Sequence, residues 1–142
     1  MAERKAPPPK KEAFMVYMYS ATFITEDSYV YARVPDLPGC ITSGHTLEEA
    51  IDLITDAASV WLVSAEDDGD IIPAPSAQSD LDIPPEAVVS LIRVDTIAYR
   101  AATDTRAVRK NVSLPAWMAN LADKRGINCS QVLQDGLLAK LS

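Results

Sequence analysis

The 142-residue sequence predicts an α+β protein: a small antiparallel sheet carrying one helix, followed by a strand–helix–turn–helix module that dimerises. Three observations predict it. Two aromatic and β-branched runs near the N-terminus flank a short polar turn, which is hairpin patterning. One long segment repeats apolar residues at helical spacing behind a capping signal. The last part of the chain holds two short amphipathic helices that cannot form a core alone, because domains below about 40 residues usually need staples or a second chain.

Residues 1–13, MAERKAPPPKKEA, are basic and proline-rich without apolar pattern, and read as a disordered tail; Met15 offers a second possible start. Residues 14–24, FMVYMYSATFI, suit a strand, Thr25 to Ser28 a turn, and Tyr29 to Val34 a returning strand. Pro35-Asp36-Leu37-Pro38-Gly39 interrupts pairing, since proline lacks a donor and fixes φ. Cys40-Ile41-Thr42 reads as a short third strand.

The helix is expected over 46–66. Thr46 with Glu49 makes a capping box. Its apolar side is carried by Leu47, Ala50, Ile51, Ile54, Ala57, Ala58, Trp61, Leu62 and Ala65, with Glu48, Asp52, Asp56 and Ser59 opposite. Residues 71–85 read as extended and loop segments rich in proline, and Ala87 to Tyr99 as a fourth strand. The domain expected over 14–100 is therefore one helix packed on a small sheet. Residues 101–106 read as linker and 107–142 as the second module. There a strand precedes Pro115, which fits the first helical position. Trp117, Met118, Leu121 and Ala122 give the first helix its apolar side, and Gly126 fits the left-handed residue after it. Asn128 or Ser130 caps a second helix with Val132, Leu133, Leu137 and Leu141 as its stripe.

Charge divides the chain. Residues 1–11 carry a net of +3, residues 12–99 hold 16 acids against Arg33 and Arg93 for a net of −14, and residues 100–142 carry +4. The total of −7 therefore conceals two regions suited to different partners. No apolar run approaches the roughly 20 residues of a membrane span, and no hydrophobic secretory segment opens the chain. Two cysteines, Cys40 and Cys129, far apart, fit a reducing cytoplasm. With His45 as the single histidine, a dedicated zinc site is not expected, and no cofactor is.

In the strand before Pro115, alternation puts Arg109, Asn111 and Ser113 on one face. Arginine suits guanine, asparagine suits adenine and serine is permissive, so a two-stranded ribbon of this composition fits the major groove. The helix start at Asn128 to Ser130 offers N–H groups to a phosphate. A solvent-facing edge strand would show the same alternation.

Residues 108–141, VRKNVSLPAWMANLADKRGINCSQVLQDGLLAKL, resemble the ribbon-helix-helix family. The resemblance implies a dimer whose antiparallel ribbon reads bases with Arg109, Asn111 and Ser113. Lys110 departs from it, standing where an apolar inward residue is expected; it can snorkel outward or meet a phosphate. Residues 35–62, PDLPGCITSGHTLEEAIDLITDAASVWL, look like the signature of the HicB antitoxin family: a Pro-Gly-Cys turn, a Ser-Gly-His-Thr step and a Glu-Glu-Ala helix opening. That resemblance implies a partial RNase H-like N-terminal fold that binds and masks HicA, a small basic ribonuclease, and a C-terminal part that represses the operon's own promoter.

An acidic domain suits a basic ribonuclease, with Glu48, Asp52, Asp56, Asp67 and Asp68 as candidate contacts, although solvation alone also explains a charged outer helix face. Metal-dependent nucleases need acids converging from strand ends, and the first two expected strands contain none. Cys40 and His45 read better as a packed turn residue and a helix-flanking residue than as a nucleophile pair. The chain is therefore expected to be no enzyme. Two alternatives stay open: a ribbon-helix-helix repressor with a ligand-sensing N-terminal domain, and a degenerate nuclease using Asp36 or Asp67.

Overall fold

The computed structural model describes residues 16–142; the tail expected over 1–13, and the first two residues of the expected first strand, lie outside the described residues. Two compact units are present among the described residues, 16–103 and 104–142.

The first unit follows from its patterning. β1 (Val16–Glu26) turns through Asp27 and Ser28 into β2 (Tyr29–Arg33). Both turn residues have positive φ, 49° and 68°, the mirror-image geometry that matches hairpin twist. The turn is two residues long rather than the expected four, because Thr25 and Glu26 stay paired with Val30 and Tyr29. β3 (Ile41–Gly44) pairs with β2, and β4 (Val88–Asp95) with β1, all antiparallel, giving the order β3-β2-β1-β4. The helix α1 (Leu47–Asp68) runs two residues beyond the expected end and stops at Gly69, whose φ of 69° glycine adopts without a Cβ penalty.

α1 packs on one sheet face. Tyr19, Ala21 and Phe23 of β1, Val30 and Ala32 of β2, and Ile92 and Val94 of β4 meet Ala50, Ile54, Ala58 and Leu62 of α1. Two side-chain assignments need correction. Leu47 is exposed, because it opens the helix beyond the sheet's cover. Ser59 is buried, because its hydroxyl returns to the Thr55 carbonyl at 2.8 Å and needs no solvent.

The fourth strand is shorter than expected, and a helix replaces its end. β4 stops at Asp95, and α2 (Thr96–Thr103) occupies the rest and the first residues of the expected linker. The cause is local: the Asp95 carboxylate accepts from the Ala98 N–H at 2.9 Å, which caps the new helix.

In the second unit, residues 104–115 form no strand, because the expected ribbon finds no ladder partner within its own chain. α3 (Ala116–Lys124) and α4 (Cys129–Leu141) follow. Pro115 stands one position earlier than expected, as the cap of α3, and its carbonyl accepts from Met118 and Ala119 at 3.0 and 3.1 Å. Gly126, with φ 64°, ends the turn after α3 as expected.

Candidate functional site

In the unit of residues 104–142 no described residue is buried. Trp117 is 65% exposed, Val132 58% and Leu137 47%, and Met118, Leu121 and Leu141 are each at least two-fifths exposed. Helices that keep such faces in water are incomplete, since apolar burial is what holds short helices together. Arg109, Lys110, Asn111 and Ser113 are all exposed on the segment leading into α3. Of the two expected caps the structure uses Asn128, whose side-chain oxygen accepts from the Gln131 N–H at 3.1 Å. Ser130 lies inside the first turn of α4, exposed.

The helix α1 presents a second candidate surface. Glu48, Asp52 and Asp56 are exposed, and among the described residues none of them forms an ion pair. Helical spacing sets Glu49, Leu53 and Val60 on the same outward side as Asp52 and Asp56. Leu53 is 39% and Val60 51% exposed. The sequence reading missed this apolar pair, although its signal was present: two large apolar residues seven apart, both off the core stripe. Asp68 is exposed at the end of α1.

Asp67 is engaged differently. Its carboxylate accepts from the Arg100 guanidinium at 2.8 Å, and the same guanidinium reaches Glu66 at 3.2 Å and the Val63 carbonyl at 3.4 Å. The other Glu66 oxygen accepts from the Tyr17 hydroxyl and from Thr96, each at 3.0 Å. One carboxylate thus ties β1, α1 and α2 together. Burial, then the hydrogen bond and charge of Glu66, push the Tyr17 hydroxyl far above its ordinary value. Burial works against the Arg100 charge, but the bonds from Asp67 and Glu66 outweigh it and raise its pKa.

Asp36 accepts from the Ser76 N–H at 2.8 Å and hydroxyl at 2.7 Å, pinning the loop after α1. Both carboxylates of the nuclease alternative are thus engaged in holding the fold. Among the described residues, no three His, Cys, Asp or Glu side chains are grouped as a metal ion requires. A cleft of about 180 Å³, lined in part by Tyr31, Arg33, Ile41 and Asp82, is smaller than the roughly 300 Å³ where small-molecule pockets begin. Among the described residues no helix is long and apolar enough to cross a membrane.

Comparison with known proteins settles the family. The family described as HicB_like antitoxin of bacterial toxin-antitoxin system matches residues 19–142. The chain belongs to the HicB-like antitoxin family. A UPF0150 protein of Thermoplasma acidophilum is 38% identical over 53 residues, spanning 37% of this antitoxin and 77% of that protein. The structure of antitoxin HicB from Burkholderia pseudomallei is 25% identical with a TM-score of 0.50, covering 88% of this chain and 98% of that one. A chain of a toxin-antitoxin complex from Streptococcus pneumoniae shares the fold at 21% identity and a TM-score of 0.56, with 89% and 99% covered.

The family signature of this HicB-like antitoxin proves to be a structural device. Leu37 plugs the core at 1% exposure, and the loop closes through Val34 N–H to the Cys40 carbonyl at 3.1 Å. Gly39 takes φ 78°, and the Trp61 indole N–H donates to the Pro38 carbonyl at 3.0 Å. Cys40 is buried, which pushes its thiol pKa up and away from nucleophilic character. His45 is exposed and packs on Tyr29 with ring centres 5.0 Å apart. Thr46 then caps α1 by accepting from the Glu49 N–H at 3.1 Å.

Proposed function

We propose that this antitoxin has two separable activities. The acidic unit neutralises a HicA-like, mRNA-cleaving ribonuclease by binding it directly. Residues 107–142 pair with a second copy as a ribbon-helix-helix dimer that binds operator DNA and represses the antitoxin's own operon. The protein acts as a non-enzymatic inhibitor and repressor in the cytoplasm.

One observation carries this reading. The chain divides into an acidic unit with a complete core and a basic unit with none. The first can act as a rigid platform, and the second requires a partner before it can act. On the platform, Glu48, Asp52 and Asp56 supply attraction for a basic protein, and Leu53 with Val60 supplies the desolvated centre that binding energy needs. Asp67 and Asp68 extend the acidic side, although Arg100 already takes part of the Asp67 charge. On the DNA side, Arg109, Asn111 and Ser113 read base edges, Lys110 meets phosphate, and the α4 start at Asn128 and Ser130 holds a second phosphate.

Operator binding tests the DNA half. Arg109→Ala and Asn111→Ala should each cost about 1–3 kcal/mol and relax sequence preference. Unchanged operator affinity in both variants refutes the reading face. The toxin half is tested by co-purification with the product of the adjacent gene. Leu53→Asp with Val60→Asp should release a small basic ribonuclease, and retention of that partner refutes this surface.

A further inference from the structure

α2 is a helix held in place from outside. It has eight residues, whereas isolated helices shorter than about 12–15 are marginal in water. Only Thr96, its first residue, is buried; Ile97, Tyr99 and Arg100 are half-buried, and Ala101, Ala102 and Thr103 are exposed. Its last turn is fixed to α1 by Arg100, through Asp67, Glu66 and the Val63 carbonyl. α1 has no basic residue in its own last turn, so Arg100 supplies the cation that a helix C-terminus favours. The contact is open to water, with the Arg100 side chain 29% and the Asp67 side chain 56% exposed. Asp67 is also the last member of a row. Glu49, Leu53, Asp56, Val60, Val63 and Asp67 stand three or four residues apart, which brings them to one side of α1. The surface proposed for a basic partner is the first part of that row. Its centre, between Leu53 and Val60, lies about 16 Å along the helix from Asp67. A standard protein contact of about 800 Å² per partner has a radius of about 16 Å. The rim of such a contact therefore falls on the Arg100 pair.

We propose that α2 is a displaceable strap: Arg100 holds the last step of the row, and a basic partner that binds α1 releases it, a device that rests on the reading of α1 as that partner's surface. Glu49, Asp52 and Asp56 form no ion pair among the described residues, and they draw the cationic partner in. At the rim, the partner's charge repels the Arg100 guanidinium and competes with it for Asp67. Release begins after Thr96, whose buried hydroxyl stays on Glu66. Glu66 keeps the Tyr17 hydroxyl as well, so losing Arg100 leaves that carboxylate with two donors. Little packing opposes the movement, because the residues that leave are half-buried or exposed. Linkage makes the effect reciprocal: attachment of α2 lowers the partner's affinity by the same factor by which the partner loosens α2.

The test mixes the full-length antitoxin with the purified product of the adjacent gene and reads two quantities, the Kd and hydrogen exchange at residues 97–103. In the wild type those amides should lose protection on binding. Arg100→Lys keeps the charge but loses the planar fork that spans Asp67, Glu66 and the Val63 carbonyl. Ala101→Gly with Ala102→Gly weakens the helix at two exposed positions and leaves Arg100 and every acid in place. Neither variant changes the net charge, so a change in overall attraction cannot account for its effect. Each should tighten binding of the gene product about five-fold. Unchanged affinity in both variants overturns the strap while the α1 surface stands, and so does protection of 97–103 that persists in the complex. Failure of the α1 surface has a different signature: Leu53→Asp with Val60→Asp then keeps wild-type affinity, and the strap falls with it.

Discussion

At Gly44, strand β3 passes directly beneath the first turn of α1. A Cβ built there would lie 2.9 Å from the Ala50 nitrogen and 3.2 Å from its Cα. Both are backbone atoms of a capped helix, so the strand or the helix must move. Gly44→Ala should destabilise the sheet unit by about 1–3 kcal/mol, the usual cost of overpacking, read as a lower urea midpoint. Tyr19 makes a different residue-scale prediction. Its ring is fully buried and its hydroxyl donates to the Pro73 carbonyl. Burial, then the charge of Asp36, push its pKa from 10.0 to about 12. A group whose folded pKa is raised holds its proton more tightly when folded. That stability is complete below pH 10 and is lost as the pH rises from 10 through about 12. Tyr17 is raised further and adds to the same alkaline loss. Tyr19→Phe should cost about 1 kcal/mol near neutrality, from the lost hydrogen bond, and flatten the decline above pH 10. Denaturation at a series of pH values separates the two effects. At this scale the sequence was informative about kind and silent about contact. It showed an interruption of strand pairing at Pro35–Gly39 and a cap at Thr46, but not that Leu37 would enter the core, and nothing in Glu66 distinguished it from its exposed neighbours Asp67 and Asp68.

That carboxylate matters at the scale of elements. α2 was unreadable as a helix because Val94, Thr96 and Ile97 prolong the β-branched pattern of β4 across the boundary. What turns the chain is Asp95 as a cap, followed by the anchor of Thr96 and Arg100 on Glu66. The second can be seen only in three dimensions, since Glu66 and Arg100 are 34 residues apart. The two acids that Arg100 contacts should differ in weight. Glu66 has a side chain 6% exposed and three partners, whereas the Asp67 side chain is 56% exposed. Glu66→Ala leaves Arg100, Thr96 and Tyr17 short of an acceptor. It should cost about 2–4 kcal/mol and strip hydrogen-exchange protection from residues 96–103. Asp67→Asn should cost under about 1 kcal/mol, as exposed pairs do. Equal effects from the two substitutions would mean that α2 is held by packing alone. β1 and α1 were legible because each repeats one period over many residues. The 104–115 segment was legible only as a pattern, because among the described residues no strand pairs with it.

For the whole molecule, the decisive asymmetry is between a unit that hides its apolar side chains and one that does not. Residues 16–103 bury Tyr19, Phe23, Leu37, Ile54 and Leu62 almost completely. Residues 104–142 bury nothing, so their stability is borrowed from whatever covers Trp117, Leu121 and Leu137. If the cover is a second copy, folding of this unit is bimolecular. Each tenfold dilution then removes about 1.4 kcal/mol from it and lowers its melting temperature, while the hydrophobic core of the sheet unit is internal and stays with the chain. Calorimetry over a range of concentrations should therefore resolve two transitions, of which the one assigned to the helices moves far more. Leu137→Asp places a charge in the proposed contact, where desolvating it is costly. It should remove the concentration-dependent transition and abolish operator binding at low as well as physiological salt. Capture of the proposed basic partner through residues 16–103 should survive, because the surface proposed for it lies on α1. A Leu137→Asp chain that still binds operator with wild-type affinity would show that the helices act without pairing, and the dimeric ribbon would have to be abandoned.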